Sequence, residues 1–130
     1  MNIIIADDEN LTRRSAIRIL KNCAAELKIK LNIIEAEDWI ETILIIYRAW
    51  SIGVDISMII SDENMIFSYG TICSQILYDT SQKQKKKLKP FYLLTAYEDE
   101  YLKANSSGIV KFVISKPLSK DIAKKLIENK

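Results

Sequence analysis

Five short apolar runs punctuate the chain, NIIIA at 2–6, NIIEA at 32–36, SMIIS at 57–61, FYLLT at 91–95 and KFVIS at 111–115. They are rich in β-branched residues and lack a clean two-residue alternation, which predicts strands covered on both faces. Between the first two runs, Leu11, Ile17, Leu20, Ala24 and Leu27 fall near helical spacing, while Arg13, Arg14, Arg18, Lys21 and Lys28 lie largely off that stripe. That pattern predicts an amphipathic covering helix. Further helices are expected at about 37–51, 67–81, 97–106 and 118–129, one after each remaining strand. The resulting (βα)5 alternation demands a parallel sheet with helices on both faces, because crossovers of this length leave few other solutions. Five strands are too few for a (βα)8 barrel. An open doubly wound sheet remains, and such sheets place function beyond the carboxyl ends of their strands.

Composition narrows the chemistry. At 130 residues with 48% hydrophobic content, the chain fits one domain, 1–130, with a sizeable core. Nineteen basic against seventeen acidic side chains give a net charge of +2, so neither nucleic acid nor an anionic membrane is an expected partner. No apolar run is long enough to span a bilayer. Cys23 and Cys73 sit far apart among apolar neighbours, and no signal sequence precedes MNIII. Both cysteines are therefore expected as buried thiols in the cytoplasm. The chain has no histidine, which excludes a Ser-His-Asp unit, an imidazole zinc site and a histidine phosphoacceptor. Gly53, Gly70 and Gly108 form no phosphate-binding glycine loop.

The strand ends carry the remaining chemistry. In the opening stretch IIIADDEN, the first strand ends in Asp7 and Asp8. The simplest explanation is an acidic helix start favoured by the helix dipole. The third run leads into Asp62, the fourth ends in Thr95, and the fifth leads into Lys116 and Pro117. Taken singly, Asp62 reads as a cap, Thr95 as a β-prone residue and Lys116 as a surface lysine. In a parallel sheet, however, all of them converge on one edge. Three carboxylates facing one another repel, and a hard divalent cation with oxygen ligands offsets that repulsion; magnesium fits best. Without histidine, thiolate or nucleotide loop, a carboxylate can still attack phosphorus while a cation and a lysine neutralise the phosphoryl oxygens. Asp62 is then the nucleophile.

Across essentially its whole length the sequence resembles the receiver domain of two-component response regulators. The resemblance rests on ADDEN after the first strand, IISDENM through the third with Gly70 eight positions past Asp62, LLTA at the fourth and SKP at the fifth. It implies a flavodoxin-like three-layer sandwich with strand order 2-1-3-4-5. By the same resemblance, Asp7 and Asp8 are the acidic pair and Asp62 is the phosphoacceptor. Asp8, Asp62 and the backbone carbonyl of Asn64 ligate Mg2+, and Asp7 acts through a bound water. Lys116 contacts the phosphoryl oxygens from a cis Lys-Pro peptide, and Thr95 swings to the phosphoryl group once Asp62 is modified. The implied donor is a histidine kinase or histidine phosphotransfer domain, and the domain catalyses its own Mg2+-dependent phosphorylation and dephosphorylation.

Two departures stand out. Ile66 replaces the usual proline after Met65, and Val113 occupies the position of the switch aromatic, with Phe112 one residue earlier and facing the other way. The chemical residues are complete while the expected structural readout differs. Tyr97, two residues past Thr95, is expected to shield the phosphoryl group from water. The run QKQKKKLK at 82–89 reads as a long solvated connection, and Trp39, Tyr47 and Trp50 read mainly as core. The leading expectation is a phosphoacceptor signalling domain. Asn64 and the absence of an output domain after Lys130 lean toward a hybrid sensor kinase or phosphorelay, and a homodimer is left open. A receiver-like interaction module working without phosphorylation is the alternative, and a small metal-dependent phosphohydrolase is the weakest reading.

Overall fold

Each of the five apolar runs forms a strand. β1 (Asn2–Ala6), β2 (Asn32–Ala36), β3 (Met58–Asp62), β6 (Phe91–Thr95) and β7 (Val110–Ser115) make one sheet in the order β2-β1-β3-β6-β7. Every neighbouring pair is parallel. This is the doubly wound order 2-1-3-4-5. A two-stranded antiparallel pair absent from the sequence reading, β4 (Asn64–Met65) and β5 (Ser68–Tyr69), follows directly on β3. The computed structural model describes residues 1–65, 68–87, 89–95 and 110–128; the side chains of residues 64, 68, 69, 71 and 110–112 are outside that description. The helix expected at 97–106 and Tyr97 lie outside the described residues, as do Ile66 and the side chain of Phe112.

Four helices are described: α1 (Asn10–Glu26), α2 (Trp39–Ile52), α3 (Gly70–Lys83) and α4 (Lys120–Glu128). Alternate residues of the strands feed two separate cores. Ile3, Ile5, Met58, Ile60 and Leu94 pack against Leu20 and Cys23 of α1 and Ile127 of α4. On the other face Ile4, Ile59, Phe91 and Leu93 pack against Ile43 and Ile46 of α2 and Leu77 of α3. β1, β3 and β6 are thus buried along almost their whole length because both faces are covered. β2 is an edge strand and departs from that expectation: Asn32 and Glu35 are exposed and only Ala36 is buried. Among the described residues, no helix is long and apolar enough to cross a membrane.

Helix ends follow local rules. Asp38 caps α2 by accepting from the Glu41 N–H at 2.8 Å, and Glu41 Oε2 accepts from the Glu37 N–H at 3.1 Å. α2 stops at Gly53, which lies in the left-handed region, and the Val54 N–H returns to the Ala49 carbonyl. α1 and α3 end the same way, yet with lysine: Lys28 at φ 57° and Lys85 at φ 53°. The chain continues from each into a return bond, Ile29 N–H to Ala24 O and Lys86 N–H to Ser81 O. The run at 82–89 therefore begins inside α3.

Two helical positions differ from the sequence pattern. Leu11, on the apolar stripe, is 76% exposed, whereas Arg13, off it, is buried at 7%. The cause lies at the head of α1, where the helix meets the acidic turn. Trp39 and Trp50 are partly buried against the second core, and Tyr47 is the more exposed of the three aromatics.

Candidate phosphoacceptor site

Parallel pairing aligns the strand ends. Ala6 is in register with Ser61 and Asp62 with Leu94, so Asp7, Asp62 and Thr95 emerge at one edge. The sheet order reverses between β1 and β3, and the crevice lies there. One carboxylate oxygen each from Asp7, Asp8 and Asp62 lies within 4.8 Å of the others. Lys116, carried past β7 on a cis Lys116-Pro117 peptide, reaches between two of them. Its Nζ stands 3.1 Å from Asp7 Oδ2 and 3.1 Å from Asp62 Oδ1. Its backbone N–H donates to the Thr95 carbonyl at 2.8 Å, which ties the last two strand ends together.

The two members of the acidic pair differ. Asp7 is 3% exposed and both its oxygens are engaged, Oδ1 by the Glu9 N–H at 2.8 Å and Oδ2 by Lys116. Asp8 is exposed and has no hydrogen-bond partner among the described residues, and one of its oxygens joins the cluster with Asp7 and Asp62. Asp62 is nearly buried, and burial pushes its carboxyl up to about 6. Lys116 works against that rise, and the charges of Asp7 and Asp8 add to it. For Lys116, burial lowers the ammonium pKa, but its hydrogen bonds to Asp7 and Asp62 outweigh this and hold it above the usual lysine value. An oxygen-only donor set with one open carboxylate and excess negative charge suits a hard divalent cation. Thr95 is buried at the end of β6, and the backbone of Asn64 lies in β4, two residues past Asp62.

Arg13 is the residue the sequence reading missed. Its Nη1 donates to the Asp7 carbonyl oxygen at 2.7 Å, Nε to Glu35 Oε1 at 2.9 Å and Nη2 to Asn10 Oδ1 at 2.9 Å. Glu37 Oε1 lies a further step away at 3.8 Å. The Asp7 N–H also donates to the Ala36 carbonyl at 3.0 Å. The backbone on both sides of Asp7 is thus held, and with it the turn that carries Asp8. The available signal was Glu35, the one charged residue in β2.

These features define a doubly wound α/β protein with an acidic crevice at its switch point and a lysine across it. The same architecture recurs in solved response regulators. A two-component response regulator from Cytophaga hutchinsonii is 21% identical with a TM-score of 0.83, over 98% of this chain and 94% of that one. One from Legionella pneumophila is 20% identical with a TM-score of 0.77, over 99% and 96%. The Mn(2+)-bound form of response regulator Rcp1 is 19% identical with a TM-score of 0.70, over 96% and 88%. The chain therefore has the receiver-domain fold along nearly its full length. By sequence, no family model and no curated protein matches it.

Proposed function

We propose that the chain is a cytoplasmic phosphoacceptor domain of two-component signalling, which takes a phosphoryl group from a partner's phosphohistidine onto Asp62. The observation that carries this reading is the Lys116 ammonium bridging Asp7 and Asp62 beside the open carboxylate of Asp8. In the transfer, an Asp62 oxygen forms a bond to phosphorus as the bond from phosphorus to the donor imidazole nitrogen breaks, and that nitrogen keeps the electron pair and takes up a proton. Lys116 then turns from Asp62 toward the phosphoryl oxygens while keeping Asp7. Asp8, Asp62 and the Asn64 carbonyl are the proposed ligands of Mg2+, which supplies charge neutralisation on the phosphoryl oxygens when bound. Asp7, with both oxygens engaged, serves through water. Thr95 is the proposed donor to a phosphoryl oxygen on Asp62.

Intact mass after incubation with Mg2+ and acetyl phosphate tests this. One added phosphoryl group, lost in Asp62→Asn and without Mg2+, is the expected result; equal labelling of Asp62→Asn removes the assignment. A second reading, an interaction module that works without phosphorylation, draws on Val113, which packs half-buried in the second core where the resemblance calls for a mobile ring. Absence of labelling in the wild type would favour it.

A further inference from the structure

At the end of the sheet opposite Asp62 there is a second chemically distinct feature. A cleft of about 220 Å³ opens between the C-terminal end of α2, the segment leading into β3 and the segment leading into β6. Trp50, Val54 and Ile56 give it apolar walls, and Lys86, Lys87 and Lys89 stand on its rim with one carboxylate, Asp55. Asp55 is already committed, accepting Lys89 Nζ at 3.0 Å. Lys86 and Lys87 are exposed and have no ion pair among the described residues. The dipole of α3 does not account for them: Lys83 occupies its last turn, whereas Lys86 and Lys87 lie beyond the left-handed Lys85 that ends the helix.

Size decides what kind of occupant fits. Small-molecule sites begin at about 300 Å³ and enclose most of their ligand. This cleft is smaller and open, which suits one anchoring side chain of a polypeptide whose neighbours stay on the rim. Trp50 is half-buried with its ring stacked on Tyr47 at 5.8 Å between centroids, so an aromatic face forms part of the wall. Exposed ammonium groups beside an apolar wall complement a segment that pairs an apolar residue with carboxylates.

We propose that this cleft docks an acidic linear segment of a partner protein, with one apolar or aromatic side chain in the cleft and flanking carboxylates on Lys86 and Lys87. The site is remote from Asp62 and does not depend on phosphoryl transfer. Selection of a displayed library of random short peptides on the full chain tests it. Selected peptides are expected to carry one Phe, Leu or Trp among Asp and Glu, to shift the Trp50 indole resonance, and to weaken about tenfold against the double variant Lys86→Glu, Lys87→Glu. Both substitutions are on exposed side chains, and an unchanged melting temperature confirms that the variant folds. Binding is expected to be equal in Asp62→Asn. Peptides without acidic enrichment, peptides indifferent to the charge reversal, or no selected peptide at all would overturn the proposal. Release of the chain from phosphatidylserine vesicles by the same charge reversal, with no peptide selected, would mark the surface as a lipid contact instead.

Discussion

Arg13 and Asp7 are joined by a buried hydrogen bond of 2.7 Å from guanidinium to backbone carbonyl, and this bond fixes the turn that carries the acidic pair. Arg13→Met keeps much of the aliphatic stem but leaves that carbonyl without its donor. An unpaired buried acceptor costs about 1–3 kcal/mol, while the half-exposed Glu35 recovers water. Urea unfolding is expected to show a loss in this range. Mg2+ affinity is expected to fall severalfold as well, since the turn that carries Asp8 is no longer held. Lost stability with unchanged Mg2+ affinity would confine Arg13 to a structural role.

Lys116 occupies space and charge that a cation also seeks. Its ammonium lies 3.1 Å from both Asp7 and Asp62, so it repels an incoming divalent ion while it neutralises the site. At an effective dielectric near a protein surface, removing such a charge favours a cation by about 1 kcal/mol or more. Lys116→Met is therefore expected to bind Mg2+ about fivefold more tightly at alkaline pH, where Asp62 is ionised, and yet to accept phosphoryl groups poorly. Isothermal titration and mass labelling read the two effects. Weaker Mg2+ binding in the variant would show that Lys116 organises the carboxylates rather than competing with the cation.

The parallel order and the site edge were legible because strand composition and helix periodicity agree with the global fold. Asp7, Asp62, Thr95 and Lys116 each close an apolar run, and parallel strands must bring such ends together. Arg13 was not legible, because periodicity treats a charge as solvent-facing and cannot see a partner across the sheet edge. Leu11 erred in the opposite direction: apolar spacing continues to the first turn of α1, but at that turn the strands have already ended. The β4–β5 pair has two residues per strand, too few for any pattern to register.

Lys28 ends α1 in the left-handed region, where a side chain with Cβ costs roughly 1–2 kcal/mol. Glycine removes that cost but adds freedom to the unfolded chain worth roughly 0.5–1 kcal/mol. Lys28→Gly is thus expected to stabilise the fold by a few tenths to about 1 kcal/mol. Thermal unfolding decides. A destabilised variant would mean that the Lys28 side chain contributes more by packing than its backbone conformation costs.

Asp62, the proposed phosphoacceptor, also carries a pH-dependent penalty. Burial raises its carboxyl from 3.8 to about 6. Below the lower value both folded and unfolded states hold the proton and nothing is lost. Between the two values only the folded state holds it, so stability falls as pH rises; above about 6 both states are ionised and the penalty is complete. After allowance for solvent screening, the loss is on the order of 1–2 kcal/mol. Asp62→Asn cannot ionise, and the Lys116 pair with Asp7 remains in place. Chelator-treated Asp62→Asn is therefore expected to match the wild type in acid and to exceed it by that amount near neutral pH. Added Mg2+ should narrow the gap by stabilising only the wild-type carboxylate cluster. Urea midpoints for both proteins from about pH 4 to about pH 7 test the sign directly, because other carboxylates cancel in the difference. Parallel curves across that range would show that Asp62 stays ionised and is paid for by Lys116 alone.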